Sequence, residues 1–139
     1  MEIEGKPVGK GRPRFYRGHA VTPKNTREYE KIVADTYKES KLPYFETEPV
    51  IVEILAKHPV PKSETKKNRI AMLSRKILPT LKPDIDNIAK IILDGLNGVA
   101  FADDKQVVEL KITKEYSTHG SVIVTVKEKK CDTMQDSDL

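Results

Sequence analysis

Tryptophan is absent from this chain, cysteine occurs once and histidine three times. One thiol, Cys131, excludes an internal disulfide framework and fits a reducing compartment. His19, His58 and His119 are scattered and show no zinc-site spacing. No local motif supports a Ser-His-Asp triad, and there is no Walker-type phosphate loop. No apolar run approaches the ~20 residues a membrane span needs, and no signal peptide is visible. The expectation is a soluble, cytoplasmic protein with no membrane partner. No internal repeat interrupts it.

What the chain does hold is charge in clusters. Its 139 residues amount to about one domain, and a hydrophobic fraction of 37% can build one modest core. Nine prolines and seven glycines imply many turns. A formal charge of +4 says little alone; its distribution matters more.

The acidic groups concentrate in residues 82–107, KPDIDNIAKIILDGLNGVAFADDKQV, which holds five aspartates. Asp84 follows Pro83 and is a strong helix N-cap. Ile85, Ile88, Ile92 and Leu96 recur at helical spacing, with Ala89 and Leu93 broadening the apolar face. Asp86, Lys90 and Asp94 are spaced i, i+4, i+8 and stack along the polar face. Asn97-Gly98 supplies the stop, Gly98 taking the left-handed position. Asp103 and Asp104 then follow the apolar run Val99-Ala100-Phe101 and precede a strand. Two acidic clusters joined by one helix and a short loop can fold back into a carboxylate cage for a hard divalent cation. Helix caps and a solvated salt-bridge ladder are the structural alternative. All-oxygen donors suit Mg²⁺ or Mn²⁺ rather than zinc.

Lys-Pro-Asp-Ile-Asp-Asn, then Lys90, then Leu-Asp-Gly-Leu, then Asp-Asp-Lys-Gln-Val resembles the core signature of the RusA family of Holliday junction resolvases, of the phage and prophage type. Gly5-Lys6-Pro7-Val8 and Lys10-Gly11-Arg12-Pro13-Arg14-Phe15 resemble the family's opening, so the likeness spans most of the chain to about residue 127. The resemblance implies an Mg²⁺-dependent endodeoxyribonuclease that resolves four-way junctions by paired nicks in recombination and repair, working as a homodimer. It matches Asp84, Asp86 and Asp104 to the family's catalytic acids and Lys90 to its functional lysine, with Asp103 a second-choice metal ligand. A branched or flap DNA nuclease, or a non-catalytic junction-binding protein, are the alternatives.

The basic groups flank this motif. Lys6, Lys10, Arg12, Arg14 and Arg17 occur with no acidic residue between them, interleaved with Phe15 and Tyr16. They read as a phosphate-contacting arm or as a solvated sheet edge. Lys62, Lys66, Lys67, Arg69, Arg75 and Lys76 stand against a single Glu64, with Ile70, Leu73 and Ile77 at helical spacing. Such a segment can draw a phosphodiester toward carboxylates that would otherwise repel it. The candidate DNA-binding residues are Lys10, Arg12, Arg14, Lys66, Lys67, Arg69, Arg75 and Lys76.

The remaining elements predict the frame. Arg17-Gly18-His19 turns a hairpin into Ala20-Val21-Thr22, and a helix runs from about Asn25 to Ser40 on a face of Tyr29, Ile32, Val33 and Tyr37. Val50, Val52, Ile54 and Ala56 alternate as a strand. Val108, Leu110 and Ile112, then Val122, Val124 and Val126, read as an antiparallel hairpin. The expected fold is one α/β (α+β) domain over residues 1–128, a mixed, mainly antiparallel sheet flanked by helices. Residues 129–139 are expected to be a disordered tail.

Overall fold

The computed structural model describes residues 1–12, 14–21 and 23–130. The side chain of Arg14, Cys131 and the expected tail beyond residue 130 lie outside the described residues. The chain forms β1 (Glu2–Glu4), the pair β2 (Arg14–Tyr16) and β3 (His19–Val21), α1 (Lys24–Glu39), β4 (Val50–Pro59), α2 (Lys66–Leu73), α3 (Ile85–Leu96), β5 (Val107–Ser117) and β6 (Ser121–Glu128). The main sheet has the order β1-β6-β4-β5. Only β4 and β5 are parallel. This is the expected α+β domain with a mixed sheet.

Alternation along β4 puts Val50, Val52, Ile54 and Ala56 on one buried face, as their period of two requires. Ile3 of β1 and Val122 and Val124 of β6 share that core, and α1 and α3 cover it with Tyr29, Val33, Tyr37, Ile88, Ile91, Ile92 and Leu96. The α3 stripe is therefore rotated from the expected one. Ile91 is fully buried, whereas Ile85 is 47% exposed because the helix entrance lies beyond the core. Ile32 of the expected α1 face is likewise exposed. Gly98 takes the left-handed conformation expected of it, at φ +82°.

Two further expectations are corrected. β5 and β6 are not hydrogen-bonded to each other, because β4 lies between them. Next-but-one strands stand about 9.6 Å apart, and the four Cα steps from Ser117 to Ser121 reach at most about 14 Å. The three-residue link thus suffices to carry the chain over the end of β4. Periodicity marks each strand but not its neighbour. In α2, Ile70 and Leu73 are exposed and only Met72 is buried, so helical spacing there does not mark a core face. The β2–β3 pair is as expected, turning at Arg17 and Gly18, both at positive φ.

Gly95 explains how α1 and α3 meet. A Cβ there would stand 2.7 Å from Val33 Cβ and 3.0 Å from the Glu30 carbonyl oxygen. The bare backbone lets the two helices close on each other. Gly95→Val is therefore expected to destabilise the domain by about 1–3 kcal/mol through overpacking. Urea unfolding followed by circular dichroism measures this, and an unchanged midpoint would show that the helices are not in contact there.

Candidate active site

The site grows from the two ends of α3. At the entrance, Asp84 occupies the N-cap position with extended backbone, but its side chain makes no capping bond. Asp86 lies exposed in the first turn. Neither carboxylate has a hydrogen bond or ion pair among the described residues. The capping bond and salt bridge of the structural alternative are therefore not made at this end of the helix, and what remains of it is the favourable placing of acidic groups near a helix N-terminus.

At the other end, the apolar run serves as an anchor. Phe101 is completely buried and bridges to Phe45, whose N–H donates to the Ala100 carbonyl at 2.8 Å. Gln106 then fixes the acidic turn. Its Nε2 donates to the carbonyls of Phe45 and Glu48 at 3.1 and 3.0 Å, and its Oε1 accepts from Asp103 N–H at 3.0 Å. Lys105 N–H donates to Asp103 Oδ1 at 2.9 Å.

This arrangement separates the two adjacent aspartates. The Lys105 N–H holds the Asp103 carboxyl below its ordinary range. Partial burial, then the hydrogen bond and charge of Asp103, then the charge of Asp94, push Asp104 up; Lys90 only partly offsets them. Asp103 thus shapes the turn. Asp104 presents the carboxylate that a cation would stabilise, beside Asp94 and Lys90 of α3.

The helix face between carries the charges that balance this row. Lys90 Nζ lies 3.8 Å from Asp94 Oδ2 and its side chain is mostly exposed. Lys10 Nζ reaches Asp94 Oδ2 at 3.0 Å and also pairs with Glu30 of α1. Burial opposes the charge on Lys10, but its hydrogen bonds to Glu30 and Asp94 outweigh that effect and raise its pKa. The arm itself lies on α3. Lys10 N–H donates to the Asn87 carbonyl at 3.0 Å, and a Cβ on Gly9 would stand 2.7 Å from Pro83 Cβ. Glycine is what allows this approach.

Lys10 and Arg12 share a cleft of about 390 Å³ with Lys82, Pro83, Asp84 and Asn87. The structure therefore brings two of the predicted DNA-binding residues to Asp84, and adds Lys82. The other basic residues sit elsewhere. Lys66 and Lys67 are exposed in the first turn of α2, and Lys76 is exposed after it. Arg69 donates to the Pro61 carbonyl, and Arg75 Nε pairs with Glu115 at 2.8 Å. Glu30, Lys82 and Gln106 were missed as site residues. Gln106 stands inside the quoted motif, but its partners lie near residue 45, where no local pattern points to it.

The donor chemistry fits a hard divalent cation: carboxylate oxygens, two of them on unpartnered groups and a third held at an electrostatic cost. Among the described residues, however, no three acidic, histidine or cysteine side chains are gathered closely enough to enclose an ion. The expected cage is not closed by these side chains alone. Unneutralised carboxylates repel one another, so closing it requires positive charge.

Fold and site together define a small α+β nuclease-like domain with an acidic helix under a basic arm. Its family is shown by comparison: the sequence profile of Endodeoxyribonuclease RusA matches residues 4–127, and the chain belongs to that family. It is an endodeoxyribonuclease by that membership. It is also similar to an uncharacterized protein, YqaN, of Bacillus subtilis (strain 168), 33% identical over 132 residues that cover 91% of this chain and 93% of the relative.

A group whose folded pKa is raised holds its proton more tightly folded than unfolded, so its ionisation costs stability as pH rises through that range. Asp104→Asn removes this cost. The variant is expected to be at least as stable as the parent at pH 7, with the difference fading as pH falls below the carboxylate range. Urea titrations at pH 7 and pH 3.5 measure it; a variant clearly less stable at pH 7 would show that Asp104 is a structural residue.

Proposed function

We propose that this chain is an Mg²⁺-dependent, structure-selective endodeoxyribonuclease that resolves four-way junctions by paired symmetric nicks, in DNA recombination and repair of the prophage type. The observation that carries this is the pair Asp84 and Asp86, unpartnered at the entrance of α3, in a chain of the RusA family. Asp84, Asp86 and Asp104 would hold the cation, with Asp103 the next carboxylate along; Mn²⁺ would serve as well. When bound, the cation lowers the pKa of a water molecule and stabilises the charge on the departing oxygen.

The chain's own residues do the rest. Water adds to the scissile phosphorus and the 3′ oxygen leaves, giving 5′-phosphate and 3′-hydroxyl ends. Lys90 is exposed enough to swing to the phosphate and neutralise the charge that builds there. Lys10 holds Asp94 and so leaves Lys90 less tightly engaged. Arg12 and Lys82 line the Asp84 cleft and would take the flanking phosphates. Lys66 and Lys67 stand in the first turn of α2, where positive charge opposes the helix dipole. Their position is therefore not set by helix stability, which supports phosphate contact by Lys66 and Lys67; Arg69 and Lys76 would join them from the same basic segment. Arg75 would have to share its charge with Glu115, and Arg14 extends the arm.

A four-way junction has two-fold symmetry and needs two cuts, so one site per chain calls for a C₂ homodimer. The test is a nicking assay on a synthetic four-way junction beside a matched linear duplex, with and without Mg²⁺. Paired nicks that need the cation and spare the duplex are expected. Asp84→Asn should lower nicking by at least about a hundredfold, and Lys90→Ala by roughly ten- to a hundredfold. Junction binding should persist in Asp84→Asn, because a charge repelling phosphate has gone. Equal cutting of the duplex would rule out selective resolution, and normal cutting by Asp84→Asn would place the active site elsewhere.

A further inference from the structure

A second cavity, of about 400 Å³, lies on the far side of Pro83. Lys82 and Pro83 line both this cavity and the Asp84 cleft, so the two share a wall. Its other walls include His58 and Tyr116, which are register partners on β4 and β5, together with Leu81. Lys6 also lines it, and no carboxylate does among the described residues. The volume falls within the roughly 300–1,000 Å³ of small-molecule sites.

His58 sets this cavity apart from ordinary core. It is 5% exposed, and its Nε2 is enclosed without a hydrogen-bond partner among the described residues. Burial, with the charge of Lys114, lowers its pKa. An apolar side chain would fill the same core position without an unpaired nitrogen. Because no described group bonds that nitrogen, pairing it with a ligand sacrifices no hydrogen bond.

We propose that the His58–Tyr116 cavity is a nucleobase subsite, holding one unstacked base next to the scissile phosphate and setting the sequence preference of cleavage. It rests on the endonuclease reading above. Flat aromatic and imidazole faces are what an unstacked base stacks against, and a buried imidazole offers one directional bond to the base edge. Unstacking a base costs least where its pairing or stacking is already interrupted, as stacking is at a strand exchange point. A phosphate at Asp84 would place the neighbouring base within reach across the Pro83 wall, with Lys6 and Lys82 beside its backbone.

The test places 2-aminopurine next to the crossover of a four-way junction and follows its fluorescence on binding without metal. In parallel, nicking rates are measured over junctions that differ only at that base. Binding of the parent chain should change the fluorescence, and Tyr116→Leu, which keeps apolar bulk, should remove that change. His58→Gln and Tyr116→Leu should each reduce the ratio of best to worst sequence by at least about tenfold. Should His58→Gln fail to fold by circular dichroism, Tyr116→Leu decides alone. An unchanged fluorescence response and an unchanged ratio in folded variants would overturn the subsite even while junctions are cut. Failure of nicking with the base signal intact would instead count against the resolvase reading and leave the subsite standing.

Discussion

The rotation of α3 about its own axis is the constraint on which the site depends. Ile88, Ile91, Ile92 and Leu96 turn inward, and Gly95 meets Val33 of α1 with no room for a Cβ. A helix locked on that side can point Asp86, Lys90 and Asp94 only away from the core. The acidic turn after β-bridge residue Phe101 and the basic arm through Lys10 are both placed by reference to this helix. Packing of uncharged groups thus decides where the charges stand.

Those charges divide into a settled set and an unsettled one. Asp94 and Glu30 are satisfied by Lys10, and Asp103 by the backbone of its own turn. Among the described residues Asp84 and Asp86 have no side-chain partner, and the surroundings of Asp104 oppose its ionisation. Domains hold only a small margin of stability, so a carboxylate whose surroundings oppose its charge, as those of Asp104 do, is better explained by what it binds than by what it supports. The same logic applies to the first turn of α2, where two lysines face the wrong end of the helix dipole.

Much of this frame was legible because it is local. The helix from about Asn25, the strand from Val50 and the helix after Asp84 each follow from a period within a single segment, and each is present within a residue or two of its expected bounds. Ile85 misled because periodicity does not show where the core ends; Ile91 fits the same helix one step around. The insertion of β4 between β5 and β6 was illegible because strand pairing is not written into either strand. The site divides the same way. Its carboxylates could be named from spacing and resemblance. The different conditions of Asp103 and Asp104 depend on a backbone N–H and on Asp94, and Lys82 gains its place only because Pro83 stands between two cavities.

The position of β4 bears on how the chain is made. Its partners among the described residues are β5 and β6, both synthesised some fifty or more residues later, and β1 near the start pairs with β6 as well. A nascent chain emerging from the ribosome has β1, β4 and both covering helices before the ladders of the main sheet are available to them. Contacts so distant in sequence carry a large loop-closure cost before they return anything, and they make assembly late and concerted. The candidate site, whose acidic turn leads directly into β5, is therefore completed only when nearly the whole domain has been translated, and a shortened chain would carry the aspartates without the sheet that arranges them.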